Sequence, residues 1–419
     1  MSAQDQLAVD GGTPVRTEPF PPWPYFWPEE KDAVMRVLES NDVNYHRGMM
    51  GIRFEEAWAR YTGVKHAVAV CNGGAALHCA CYAAGFGPGD EVIVPCHTYQ
   101  ASDLAPLYVN AIPVFADLDP GSLNMSVGDI RARITDRTRG IVVVHIYGRP
   151  ADMDEIMALA AEHDLIVIED CAQAHGAEYR GRKVGSIGNL GAFSFCQTKH
   201  ITTGGEGGMV TTDDDALAVA VRAAKDYGMA YDKRREDGRW LSSGRYGLGW
   251  NMRMTEMQSA MGLALLDKLD DFVDKRRELA AHLTAGLADC PALDVVPEGE
   301  GRKHTYFRYD CLFNPDAVTC TRQQFMRAVQ AEGAPCYTGS TPTVHLDPLF
   351  AEQLMQGGAG PLRGFPWADV ELGYREGQCP VAEEMRDRIV CLEVYPTIEI
   401  SDCDDVLQAI HKVTDAYLA

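Results

Sequence analysis

Basic residues are in short supply in this chain. Lys and Arg number 38 against 60 Asp and Glu, which leaves a formal net charge of −22. That balance removes any general attraction to DNA, RNA or an anionic membrane surface. Its plain consequence is solubility, and a phosphorylated ligand would need local basic groups. Paired metal-ligand cysteines are also missing. There are 13 cysteines but no Cys-x-x-Cys. Scattered and odd in number, they read as reduced core residues, not as a disulfide framework or a zinc site, and no metal is expected. No apolar run approaches the length needed to span a membrane. Met1-Ser-Ala-Gln-Asp-Gln6 lacks a basic-then-apolar leader pattern. The expected location is therefore the cytoplasm. No internal repeat is visible.

What is present is a long, ordinary globular composition. At 419 residues, 46% hydrophobic and 23% charged, the chain suggests two domains, or one large domain with a smaller partner. Residues 1–27 form an arm ending in Phe20-Pro-Pro-Trp-Pro-Tyr-Phe-Trp-Pro28, which fits neither a regular helix nor a central strand. Its aromatics are expected to pack on the body or on a second subunit. Pro28 opens a helix through 38. Short apolar strands are predicted at 66–70, 91–94, 113–116, 141–144 and 165–168, with helices from 75, over 99–110 and over 156–162. This rhythm predicts a mostly parallel α/β sheet across a large domain, 28–260. Residues 230–247 read as a polar surface loop, and 255–287 as one long helix. A smaller α+β domain completes 261–419, with a strand over 305–313 and helices over 322–332 and 404–418. Residues 356–366 read as another loop.

Two segments carry chemistry. One is Ala192-Phe-Ser-Phe-Cys-Gln-Thr-Lys199 followed by His-Ile-Thr-Thr-Gly-Gly-Glu-Gly-Gly208. A lysine among small and apolar residues loses its proton readily, and the neutral amine is a nucleophile. The other is Leu165-Ile-Val-Ile-Glu-Asp170-Cys-Ala-Gln173-Ala-His175, an apolar strand that ends in a carboxylate, where ligand sites of open α/β sheets gather. A Schiff-base lysine with an acid at a strand end is what pyridoxal 5′-phosphate requires. Gln173 and His175 follow closely enough to reach a ligand. Ser194 lies between Phe193 and Phe195, on the opposite face of a strand, and is a candidate phosphate contact. Cys71-Asn72-Gly73-Gly74-Ala75 links a strand to a helix and offers amides to an anion. By itself that run is equally a plain turn. His200 is a second acid–base candidate beside Lys199.

With these residues in hand, the sequence resembles the DegT/DnrJ/StrS family of aminotransferases along nearly its whole length. The resemblance rests on Asn72-Gly-Gly-Ala-Ala-Leu77, Glu91-Val-Ile-Val-Pro95 with Thr98-Tyr99, Pro113-Val-Phe-Ala-Asp117 and Glu169-Asp-Cys-Ala-Gln-Ala-His-Gly176. It continues through Ser194 to Lys199, Gly205-Glu-Gly-Gly208, Asn251-Met-Arg-Met-Thr-Glu256 and Cys379-Pro-Val-Ala-Glu383. It implies an aspartate-aminotransferase-like fold of type I that binds pyridoxal phosphate and works as a homodimer with shared active sites. Lys199 would be the Schiff-base lysine and proton carrier. Asp170 would pair with the pyridine nitrogen, Gln173 would contact the phenolic oxygen, and Tyr99 would stack on the ring. Gly73, Gly74, Ala75 and Ser194 would hold the phosphate, with Asn251 reaching it from the other subunit. His345 matches a histidine near the substrate, with His175 and His200 as further substrate candidates. Two departures stand out. Gly73-Gly74 replaces the usual Gly-Thr or Gly-Ser, and Leu392-Glu393-Val-Tyr395-Pro replaces the usual Leu-Pro run.

The implied reaction is ping-pong transamination from glutamate or glutamine to a ketone on a cyclitol or sugar. Val9-Asp-Gly-Gly-Thr-Pro-Val-Arg16 and Cys196-Gln-Thr-Lys199 look more like the scyllo-inosose branch than the nucleotide-sugar branch, which stays as the alternative. Sugar dehydratases of this type carry histidine in place of the lysine, which is present here. Amino-hydroxybenzoate synthases share much of the pattern. A ligand-sensing regulator of this fold usually carries a DNA-binding helix-turn-helix, which neither the N-terminus nor the net charge supports, and the intact Lys199/Asp170 pair argues against a scaffolding homologue without turnover.

Overall fold

The computed structural model describes residues 6–340, 343–351 and 373–419. The loop expected at 356–366 lies outside them. Seven strands form the main sheet: β1 (His66–Val70), β2 (Glu91–Pro95), β3 (Ile112–Ala116), β4 (Thr138–Val144), β5 (Ile166–Asp170), β6 (Leu190–Ser194) and β7 (Gly208–Thr212). Their order is β1-β7-β6-β5-β4-β2-β3. β2 to β6 pair in parallel, while β7 runs antiparallel to both its neighbours, β1 and β6. The apolar runs of the sequence are these strands, buried on both faces by helices, as parallel sheets require. The chain is thus an α/β protein built as expected.

The proline-rich arm packs on its own body. Trp23 and Trp27 sit 5.4 and 5.6 Å, centroid to centroid, from Phe272, and the Trp23 indole N–H donates to the Lys199 carbonyl at 3.2 Å. The helix Pro28–Ser40 then begins on its proline.

Two expectations need correction. Residues 230–247 are not an irregular loop: Met229–Arg234 and Trp240–Arg245 form an antiparallel hairpin turned near Gly238. Arg222 and Arg234 each lie 3.8 Å from the Trp240 ring centroid, so cation–π contacts order a segment whose charge density reads as loop. The long helix over 255–287 is two, Glu256–Leu266 and Leu269–Leu287. The break falls at Lys268, whose ammonium pairs with the fully buried Glu30 at 2.6 Å. Before the break, Ala260 packs on Ala33 and Val37; after it, Leu279 and Leu283 join the core of the smaller domain.

That core is covered by a four-stranded antiparallel sheet ordered Leu293–Val295, Tyr309–Phe313, Ile389–Leu392, Cys336–Tyr337. The strand predicted over 305–313 begins only at Tyr309. Ahead of it, the Thr305 and Phe307 amides donate to the carbonyls of Gly148 and Tyr147 at 3.0 and 2.7 Å. Those bonds dock the smaller domain beyond the C-terminal end of β4, an interior strand of the main sheet. The terminal helix starts at Ile400, earlier than predicted, behind a Glu399/Asp402 capping box.

Candidate active site

The ends of β4, β5 and β6 and the start of the helix Gly73–Ala83 meet around a cavity of about 450 Å³, within the usual size of a small-ligand site. Val144, Asp170 and Ser194 close the three strands and line it. A wider depression, about 920 Å³ between the helices Pro28–Ser40 and Glu256–Leu266, contains no lysine–carboxylate pair at a strand end.

Lys199 lines the cavity and is half-buried. Its Nζ lies 4.4 Å from the centroid of Phe307. Desolvation, opposed by the charge of Asp170, lowers its pKa to about 8. At neutral pH roughly a tenth of the side chain is then the free amine, far more than for an ordinary lysine.

Asp170 is buried at the end of β5. Its Oδ2 accepts from the Ser102 hydroxyl at 2.6 Å and its Oδ1 from the Ala172 amide at 3.0 Å. Ser102 Oγ stands 2.8 Å from Thr98 Oγ1. With the serine proton committed to Asp170, the threonine is the donor in that contact. Gln173 is fixed from both ends. Its Oε1 accepts from the Tyr147 amide at 2.8 Å, and its Nε2 donates to Ser340 Oγ at 3.3 Å. Tyr147 adopts φ 56° to present that amide, a costly conformation for a bulky residue.

Gly73, Gly74 and Ser194 come together as expected from the sequence. A Cβ on Gly73 would stand 2.6 Å from Ser194 Cβ, whereas one on Gly74 would meet only Asn72 Oδ1, at 3.4 Å. Gly73 is therefore what lets the serine hydroxyl approach the helix N-terminus. Asn72 caps that helix by accepting from the Ala75 amide at 2.7 Å. The Ala75 amide is thus occupied within the cap, and the two glycines, not Ala75, line the cavity. Tyr99 stands at the rim, 64% exposed.

The remaining candidates lie elsewhere. His175 and His200 are buried beneath the lysine, Nδ1 to Nδ1 at 3.3 Å, and His200 Nε2 is bonded to the Thr305 carbonyl at 3.0 Å. Burial lowers His175 to about 3 and holds His200 well below the ordinary histidine range, so both are neutral packing groups, and neither lines the cavity. His345 is buried with its Nε2 2.9 Å from Glu383 Oε1, and it also falls outside the lining. A substrate contact from any of the three is not supported by these positions. Asn251 is exposed and outside this chain's own cavity.

Sequence reasoning missed Ser102, Tyr147, Phe307 and Ser340. Thr98 precedes the helix Ala101–Tyr108 and Ser102 lies in its first turn, so no helical spacing marks the pair. Nothing local marks Phe307 or Ser340, which arrive from the smaller domain. Among the described residues two buried clusters have metal-ligand atoms close together, Cys96/Asp117/Cys379 and His145/Glu169/Cys171. Their carboxylates are already engaged: Asp117 accepts from the Val381 and Ala382 amides, and Glu169 from those of Gly185, Ile187 and Gly188.

The donor set fits a phosphorylated pyridine aldehyde: an amine of lowered pKa, a buried carboxylate held by hydroxyl and amide, and a glycine–serine cradle at a helix N-terminus. Comparison with known proteins agrees. The sequence model of the DegT/DnrJ/EryC1/StrS aminotransferase family matches residues 27–411. The chain is 36% identical over 430 residues to the L-glutamine:2-deoxy-scyllo-inosose aminotransferase of Streptomyces paromomycinus, covering 97% of each protein. It is 40% identical over 305 residues to the GDP-perosamine synthase of Caulobacter vibrioides, covering 73% of this chain and 79% of that one. The crystal structure of an aminotransferase from Psychrobacter cryohalolentis superposes with a TM-score of 0.85 at 39% identity, over 95% of this chain and all of that one.

Proposed function

Because the chain belongs to the DegT/DnrJ/EryC1/StrS aminotransferase family, we propose that it moves an amino group from L-glutamine or L-glutamate to the ring ketone of a cyclitol of the scyllo-inosose type. The enzyme is a pyridoxal-phosphate-dependent aminotransferase. The observation that carries the reading is the pairing of a deprotonatable Lys199 with the buried Asp170 across one cavity. The cofactor, when bound, supplies an electron sink and carries the amino group between the two half-reactions.

This chain's residues do the rest. Lys199 Nζ would take the proton from the donor's α-carbon and deliver it to the cofactor carbon that bears the amino group, and would run the reverse transfer toward the acceptor, a general acid–base role worth roughly 10²–10⁴-fold. Asp170, fixed by Ser102 and the Ala172 amide, is the carboxylate that keeps the pyridine nitrogen protonated. Gln173 points its amide N–H toward the cavity because its oxygen is held by Tyr147. Gly73, Gly74 and Ser194 receive the phosphate. Phe307 covers the lysine and limits water there.

The working unit in this reading is a homodimer. Supporting it are the exposed apolar groups Leu248 and Tyr246, 80% and 55% exposed, close in sequence to the exposed Asn251. Together they form a surface suited to a second copy. Cytoplasmic residence fits 13 free cysteines. No described helix is long and apolar enough to cross a membrane.

The cyclitol acceptor is supported by full-length likeness to the scyllo-inosose enzyme. The second reading, a nucleotide-linked keto-sugar, is favoured by the higher identity to GDP-perosamine synthase over a shorter stretch. Turnover with L-glutamine against a panel of keto-cyclitols and nucleotide-linked keto-sugars separates them. We expect aminated cyclitol as product. Amination confined to the nucleotide sugars would replace the first reading with the second.

A further inference from the structure

Glu393, one of the residues by which this sequence departs from the family pattern, has a partner. It follows the strand Ile389–Leu392, and Arg308 precedes the strand Tyr309–Phe313. The register pairs Tyr309 with Leu392, so Arg308 and Glu393 face each other one step beyond the ladder. Arg308 Nη1 donates to Glu393 Oε2 at 2.6 Å, with both side chains about one-fifth exposed. Among the described residues this is the guanidinium's one hydrogen bond. A guanidinium has five N–H donors, so most of its fork is uncommitted. Two aromatic rings flank it: Cζ lies 4.7 Å from the Phe307 centroid and 4.8 Å from that of Tyr337. Phe307 is the ring that Lys199 Nζ also touches, at 4.4 Å. Arg308 itself is not among the residues lining the cavity; Phe307, which lines it, touches both cations, so the guanidinium and the amine are separated by no more than the sum of their distances to that ring.

We propose that Arg308 binds a carboxylate of the amino donor, with Glu393 as its resident counter-ion. The inference rests on the aminotransferase reading above and adds a donor subsite to it. Of the two reactants, the amino acid carries a carboxylate beside its reacting amine, and a cyclitol ketone carries none. A protein of charge −22 repels such an anion at long range, so it needs a local cation near the lysine. An arginine confined beside two rings loses little freedom on binding, and its paired N–H groups match the geometry a carboxylate accepts. The end-on contact with Glu393 leaves that edge for a second carboxylate. Glu393 neutralises the guanidinium when no donor is bound, and it weakens the hold on the oxo-acid product, which must leave before the acceptor enters.

The test uses the cofactor-loaded full chain and measures the two half-reactions separately. Arg308→Met should weaken the donor half-reaction about 10- to 100-fold through a raised apparent donor constant. Competition by glutarate, an unreactive dicarboxylate, should weaken in parallel. The cofactor's visible band and the acceptor half-reaction should stay near wild type. Arg308→Lys should recover part of the donor constant. Glu393→Gln should leave the donor bound as tightly or more tightly, because the resident competitor is gone. Three results would overturn the proposal. One is unchanged donor binding in Arg308→Met. Another is a loss that falls on the acceptor half-reaction, which would assign the cation to a sugar diphosphate. The third is equal damage from Arg308→Met and Glu393→Gln, which would make the pair merely structural. Failure of the wild type to react with any amino donor would instead count against the aminotransferase reading itself.

Discussion

Gly73 and Gly74 adjoin in sequence and in the cavity wall, yet alanine should act on them in opposite directions. At Gly73 the new methyl would lie 2.6 Å from Ser194 Cβ, 3.0 Å from its Oγ and 3.2 Å from its Cα. Two of those are atoms of a strand end that cannot swing away, so the helix start or β6 must shift. Overpacking of this kind costs about 1–3 kcal/mol. The gain in helix propensity from glycine to alanine, up to about 1 kcal/mol, offsets part of it. The strain falls where the cofactor phosphate is held, so it should appear chiefly as weaker cofactor binding, by roughly 5- to 100-fold. At Gly74 the methyl would meet only Asn72 Oδ1 at 3.4 Å, an ordinary contact. Neither glycine has a positive φ, so backbone strain does not enter. Gly74→Ala should therefore be neutral or stabilise the apo protein by about 0.4–1 kcal/mol. The assay is a cofactor titration read by visible absorbance, together with thermal unfolding of the apo forms. Equal cofactor affinities in the two variants, or a greater loss at Gly74, would refute the argument that close approach of Ser194 defines this wall.

Three further outcomes follow from the geometry. Cofactor loading onto the apo protein should speed up with pH and level off near the lowered lysine pKa of about 8, whereas an ordinary lysine would still be gaining at pH 10. Between those values the folded state binds fewer protons than the unfolded chain. The Lys199 contribution to apo stability should therefore improve as pH rises through that window, and the penalty is complete below it. Ser102→Ala removes the 2.6 Å hydrogen bond to Asp170 and should weaken cofactor binding by about 1–3 kcal/mol. An unchanged affinity would mean that the Ala172 amide alone holds the carboxylate. Finally, Lys199→Ala and Asn251→Ala subunits, each weakly active or inactive alone, should regain roughly a quarter of wild-type activity when refolded together, because mixed dimers contain one intact shared site. No regain would remove Asn251 from the partner's site.

Much of this arrangement was legible because it is local. β5 is a run of Ile and Val closed by Glu169-Asp170, and an apolar run ending in an acid places that acid at the sheet's ligand edge whatever the rest of the chain does. Ser194 was legible through alternation, with Phe193 and Phe195 committed to the core on the other face. Residues brought in by tertiary contact could not be read this way. Phe307 reaches the lysine because two amides dock its segment on Tyr147 and Gly148, and no periodicity encodes that. The break at Lys268 depends on a buried Glu30 more than two hundred residues earlier, without a proline or glycine to announce it. The hairpin at 229–245 escaped because its charges resemble a loop until Trp240 is seen between two arginines. His175, His200 and His345 illustrate the reverse error. Adjacency to a motif residue says nothing of side-chain direction in the turns and short helix that hold them, and all three are buried.

Lys199 and Asp170 line one cavity and together are expected to form one cofactor-dependent amino-transfer site. The most direct test is the visible absorbance spectrum of the purified, cofactor-loaded protein before and after addition of L-glutamine, in wild type and in Lys199→Ala. The wild type should show a band that the donor bleaches and a keto-cyclitol restores, and the variant should show no such cycle. A band that no amino donor changes, or a cycle that survives loss of the lysine, would contradict it.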